Sequence, residues 1–199
     1  MTRSRLFKKL GLALAALAVF GFSYYLGARH GRPLVHHLQA VELPEPGPVP
    51  PFRLRDALGF DFTEKDFIGY WNFVMAGDLT EAQCRPLLDR YVLAWNLLAA
   101  HPKLQRRTRV VFLHTGAPLA DDELRRRIHF HNPRFTAAQG APQALAPLVE
   151  TLGIPDREAR HCDPDRSVVG LVGPRGRLLA LFTGITDPKV IAKDLQYFQ

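Results

Sequence analysis

Hydrophobic positions along this chain fall into two periods. Tyr70 to Gly77, "YWNFVMAG", is a near-continuous apolar and aromatic run, which predicts a strand covered on both faces. "RVVFLHT", Arg109 to Thr115, predicts a second. Leu87, Leu88, Tyr91, Val92, Trp95 and Leu98 recur at helical spacing, so a helix is expected from about Thr80 and Glu81 until His101-Pro102 stops it. "DDELRRRIHF" is a further helix ended by Asn132-Pro133, and "APQALAPLVETLGI" (Ala141 to Ile154) another. "FRLRDALGFDFT" alternates apolar and polar residues around Gly59, as a short hairpin does. "SVVGLVGPRGRLLALFTG" (Ser167 to Gly184) reads as two strands joined at Pro174-Arg175-Gly176, and "DPKVIAKDLQYF" as a closing amphipathic helix.

A strand-helix-strand unit followed by a hairpin and a terminal helix is the thioredoxin-like α/β arrangement. Its parallel strands need a helical crossover, and both sheet faces end up covered. In that fold the turn from the first central strand into its helix carries the chemistry, because a helix N-terminus lowers a thiol's pKa. Cys84 falls close to that turn.

Two segments precede this domain. Residues 10–28, "LGLALAALAVFGFSYYLGA", carry no charge and match the ~20 residues that cross a bilayer core. Arg3, Arg5, Lys8 and Lys9 precede them, so residues 1–9 are expected in the cytoplasm and the domain in the periplasm or an equivalent space. A cleaved signal peptide is the alternative. Residues 29–51 include "VELPEPGPVPP" from Val41, whose prolines favour an extended polyproline-like spacer. The domain proper is then 52–199.

The chain has 199 residues, a net charge of +7 and two cysteines. Two cysteines cannot staple a small scaffold, so the core carries the fold. The positive charge suits an anionic membrane surface or an acidic partner; no nucleic-acid motif accompanies it.

The segments so far resemble the Sco/SenC family, membrane-anchored thioredoxin-like proteins that help deliver copper to cytochrome oxidase. The likeness covers roughly Phe52 to Phe198. "FRLRDALGFDFTEKDFIGYW" resembles the family's opening hairpin and first central strand, "HNPRFTAAQGAPQALAPLVETLGI" its Pro-x-Phe segment and following helix, and "GLVGPRGRLLALFTG" its penultimate hairpin. The resemblance implies an accessory protein of oxidase assembly whose partners are an oxidase subunit or another assembly factor.

The metal motif departs from the family pattern, a Cys-x-x-x-Cys at the strand-to-helix turn and a histidine before the hairpin. With Cys84 as the second cysteine, the first position is Thr80; the histidine falls at about Asp165 or Arg166. Copper(I) wants soft thiolates, which these residues do not supply. His161 and Cys162 stand a few residues upstream, so Cys84, Cys162 and His161 restore two sulfurs and one imidazole in a different distribution. A copper site, a Cys84 to Cys162 disulfide and two inert thiols are the open alternatives. From another class, a periplasmic thiol-disulfide oxidoreductase or thiol peroxidase would use Cys84 as nucleophile, although enzymes of this fold usually hold both cysteines in one turn. A docking protein without metal or redox chemistry is the third reading.

Other candidates have simpler explanations. His129 and His131, two apart on a helix, point to opposite sides and read as surface histidines. His36 and His37 read as a solvated pair, and His114 as a satisfied core histidine. Arg125 to Arg127 and Arg106, Arg107 and Arg109 read as solvated faces, and Asp121, Asp122 and Glu123 suit the positive end of a helix dipole.

Overall fold

The protein is described by a computed structural model, which describes residues 16–23, 38–154, 162–163, 165–184 and 187–199. Two units are distinguished, Met1–His37 and Leu38–Gln199. Of the first, residues 16–23 are helical. Among the described residues no helix is long and apolar enough to cross a membrane; most of the anchor expected over 10–28 lies outside them.

The second unit is built on one sheet of eight strands: β1 (Val41–Pro48), β2 (Arg53–Asp56), β3 (Asp61–Thr63), β4 (Trp71–Gly77), β5 (Thr108–His114), β6 (Thr136–Gln139), β7 (Val168–Val172) and β8 (Arg177–Thr183). Their spatial order is β1-β8-β7-β4-β5-β6-β2-β3. β4, β5 and β6 run parallel, and every other pairing is antiparallel. The helices are α1 (Cys84–Leu97), α2 (Pro102–Arg106), α3 (Asp121–His131), α4 (Pro142–Thr151) and α5 (Pro188–Tyr197).

All seven residues of β4 are buried, as its apolar run requires. Phe73 and Met75 face one side with Val110 and Phe112 of β5, against Leu87, Leu88 and Tyr91 of α1, Leu124 and Ile128 of α3, and Ile191 and Leu195 of α5. Val74 and Ala76 face the other side with Val111 and Leu113, against Leu148 of α4, Leu152 just after it, and the aromatics Phe52, Phe62 and Phe67. The period-two alternation of the central strands thus fills both layers. Asn72, buried in β4, donates to the Phe67 and Tyr70 carbonyls and accepts from Arg109 Nε at 2.8 Å. Arg109 also stacks over Tyr70 at 4.4 Å, which corrects its reading as a solvated side chain.

Two strands were not expected. Val41–Pro48, read as a polyproline spacer, is instead edge strand β1, paired with β8 through Val41, Glu42, Gly47 and Pro48 and irregular between. An edge position tolerates prolines because the outer N–H has no ladder partner to satisfy. Arg177 Nε and Nη2 hold the Pro46 carbonyl, and the buried carboxylate of Asp194 on α5 accepts the N–H groups of Gln39 and Ala40 at 3.0 and 2.8 Å. The second is β6, "TAAQ", which lacks β-branched bulk yet fills the slot between β5 and β2. Alanine fits there because Ala137 and Ala138 are fully covered by the two helical layers.

Candidate functional site around Cys84 and Cys162

The C-terminal edge of β4 meets the start of α1 in the turn Asp78–Gln83. The helix was expected to begin at Thr80 and Glu81 but begins at Cys84. The cause is Asp78, whose Oδ1 accepts the Thr80 N–H at 2.8 Å and the Thr80 hydroxyl at 2.7 Å. This Asx-type turn satisfies the backbone outside a helix and delays helix initiation. Thr80 is therefore an exposed turn residue tied to Asp78. No acidic residue occupies the first turn of α1 and no side chain caps it.

Cys84 is joined to Cys162 by a disulfide, with Cα atoms 4.7 Å apart across 78 positions of sequence. Both residues are 1% exposed. Cys162 Sγ lies 3.9 Å from the Ala76 carbonyl oxygen, so the bridge rests on the end of β4. Gly77 makes room for it: a Cβ there would overlap Cys162 Sγ and lie 3.0 Å from Cys84 Sγ and 3.1 Å from the Phe112 ring. Cys162 has φ of 45°, a left-handed conformation that costs a non-glycine residue about 1 kcal/mol or more. His161, the third candidate ligand, lies outside the described residues, as do His36 and His37.

Beside the turn, His114 is 1% exposed at the end of β5. Its Nδ1 receives the Leu79 N–H at 3.3 Å and its Nε2 lies 2.8 Å from the Ala117 carbonyl oxygen. That pair of partners assigns the neutral ring with the proton on Nε2, a satisfied core histidine. Asp78 Oδ1 is 3.7 Å from His114 Nδ1, and its carboxylate fills the space that a Cβ at Gly116 would need. Burial pushes the Asp78 carboxyl up, but the Thr80 hydrogen bonds, with Arg127 nearby, outweigh it and hold the group below the usual carboxylate range. A lowered folded-state pKa adds stability that is present above the unfolded value and lost as pH falls through the folded one. Urea unfolding of wild type and Asp78→Asn is expected to differ near neutrality and to converge in acid. An unchanged difference down to pH 2 to 3, about the lower carboxylate range, would remove this role.

Of the remaining candidates, His131 is not a surface histidine: its Nδ1 lies 2.8 Å from Asp89 Oδ1, and its side chain is 8% exposed. Arg127 pairs with Glu123 at 2.7 Å, and Asp121 pairs with Arg55 at 2.6 Å, tying the β2–β3 hairpin to the start of α3. Sequence reasoning missed Gly77 and Asp78. Both had a signal: a glycine closing a buried strand, and an aspartate two residues before a threonine.

Among the described residues no group of three or more histidine, cysteine or acidic side chains is arranged to hold a metal. The bridged sulfurs offer no thiolate. Reduced, they would present two adjacent soft donors suited to copper(I).

No protein-family model matches the chain, and no curated protein sequence matches it significantly. Solved structures do. Apo Sco1 from Thermus thermophilus aligns with a TM-score of 0.67 at 20% identity, covering 84% of this chain and 100% of that one. The chain has the Sco-type thioredoxin-like fold. Yeast Sco1 with copper bound gives a TM-score of 0.64 at 18% identity, over 77% of this chain and 93% of that one. BsSco, described as a member of the Sco family of cytochrome c oxidase assembly proteins with a disulfide switch, gives 0.58 at 15% identity, over 79% and 96%. On this Sco fold, the mixed sheet with helices on both faces matches the α/β class expected from sequence.

Proposed function

We propose that this chain is a Sco-like accessory protein of cytochrome oxidase assembly that works by docking and by a dithiol-disulfide change at Cys84 and Cys162. The observation that carries the reading is the bridge itself: the cysteine opening α1 is joined to one far along the chain, on a fold shared with Sco proteins. The change is a two-electron step. A dithiol of a partner gives up two electrons and two protons and becomes a disulfide, while the Cys84–Cys162 bond breaks to two thiols. Only in the reduced state do two sulfurs become ligands for copper(I) as cargo, with His161 as a third. Residues 10–28 would anchor the chain in the plasma membrane with the domain on the periplasmic side, where an oxidase subunit or another assembly factor is the partner.

The thiol-disulfide oxidoreductase reading gains from the same bridge, since a resolving sulfur adjoins Cys84. Against it stands the burial of both sulfurs, which slows the repeated exchange that turnover needs, whereas a switch exchanges once per partner.

A copper(I) competition titration of the reduced chain, beside Cys84→Ser, Cys162→Ser and His161→Ala, tests the cargo role. One-to-one binding that appears only on reduction and is lost in either serine variant supports it. Binding no tighter than in the serine variants retires copper and leaves the thiol switch.

A further inference from the structure

A cleft of about 470 Å³ opens between the first turns of α1 and the face of α3, beside Cys84. That volume lies within the ~300–1,000 Å³ of ligand-binding clefts. Arg85, Arg126 and Arg127 line it against one carboxylate, Glu81. Arg127 is taken up by Glu123, which accepts from its Nε and Nη2 at 3.0 and 2.7 Å. Arg85–Asp89 and Arg126–Asp122 are 3.6 and 3.7 Å pairs between side chains at least half exposed, and such pairs are screened and weak, which leaves Arg85 and Arg126 as the cations open to a ligand. The first turn of α1, which itself holds no acidic residue, adds the positive end of a helix dipole beside Glu81.

The wall is not only cationic. Phe130 is 70% exposed on a helix that is otherwise mostly charged or histidine on its outer face, and Arg85 stacks over its ring at 5.3 Å. Leu88 lines the cleft floor. An exposed aromatic held by an arginine costs the free protein apolar hydration, and the two residue types are those enriched at the energetic centres of interfaces.

We propose that this cleft is a docking groove for an extended acidic segment of a partner protein. An aromatic or aliphatic side chain of the segment packs on Phe130, and its carboxylates meet Arg85 and Arg126. The groove works in either redox state of the neighbouring cysteines and does not depend on copper. It explains why a cationic, aromatic wall adjoins a buried bridge: the partner is held beside Cys84 by contacts that the sulfurs do not make.

The test is fluorescence anisotropy of the full chain in dodecyl maltoside micelles with a fluorescein-labelled hexapeptide of alternating glutamate and phenylalanine. A matching lysine-phenylalanine peptide and a glutamate-serine peptide are run beside it. The acidic aromatic peptide is expected to bind best and to weaken as salt rises. Phe130→Ala and Arg126→Glu are each expected to weaken it about tenfold or more with unchanged circular dichroism, while Arg175→Glu, outside the cleft, leaves it unchanged. Equal binding of the lysine peptide or of the glutamate-serine peptide, or binding indifferent to Phe130→Ala and Arg126→Glu, would overturn the proposal.

Discussion

Reducing the Cys84–Cys162 disulfide is expected to lower the unfolding free energy by about 1.5–3.5 kcal/mol and to expose both sulfurs to alkylation. The bridge closes 78 positions of chain, and on the chain-entropy model a loop of that length is worth ~4.5 kcal/mol. Part of this returns on reduction, because Cys162 is then free to leave its left-handed conformation, worth about 1–3 kcal/mol. The fold itself should survive, since two apolar layers lie on the sheet independently of the bridge. Paired urea titrations with and without a phosphine reductant, read by tryptophan fluorescence, measure the difference. Coincident curves would mean that the bond does not constrain the chain in solution. The same experiment bears on function: a switch must be stable in both states, and a change that unfolded the domain would not be one.

Gly77→Ala is expected to cost about 3 kcal/mol or more, near the upper end of overpacking effects, and to leave much of the protein with free thiols. The added methyl group would occupy the place of Cys162 Sγ and press on Cys84 Sγ and Phe112. None of these neighbours can swing aside easily: Phe112 is fully buried in β5, and both cysteines are 1% exposed. The backbone of Gly77 is fixed as well, by its pairing with His114 and by the Thr115 N–H donated to its carbonyl at 2.9 Å. Strand and bridge therefore cannot both keep their positions. Thiol counting with Ellman's reagent after non-reducing purification, with urea unfolding alongside, decides the matter. A full disulfide with stability within about 0.5 kcal/mol of wild type would show that the site relaxes freely around the methyl group.

These two expectations differ in how far the sequence alone could reach them. The runs of β4, β5 and the β7–β8 hairpin were legible because their side chains carry a strong period or a continuous apolar signal, and burial of β4 and β5 on both faces leaves those two no other solution. The helical spacing of Leu87, Leu88 and Tyr91 was legible for the same reason. The first residue of α1 was not, because Asp78 captures Thr80 and only the local hydrogen bonds reveal it. β1 and β6 were invisible for opposite reasons. The first is too rich in proline to look like a strand, the second too rich in alanine, and each exists because a neighbouring strand had an open edge.

Local pattern by itself determined the order of elements, the α/β class and the placing of Cys84 at the strand-to-helix turn, since periodicity, turn residues and helix punctuation act over a few residues. Only the tertiary structure decided what stands beside Cys84: the sulfur of Cys162 from 78 positions away, the missing side chain of Gly77 that admits it, and the arginines and Phe130 of α3. Contacts between residues so far apart depend on how the layers pack, and packing is a property of the whole chain that no short stretch of sequence encodes.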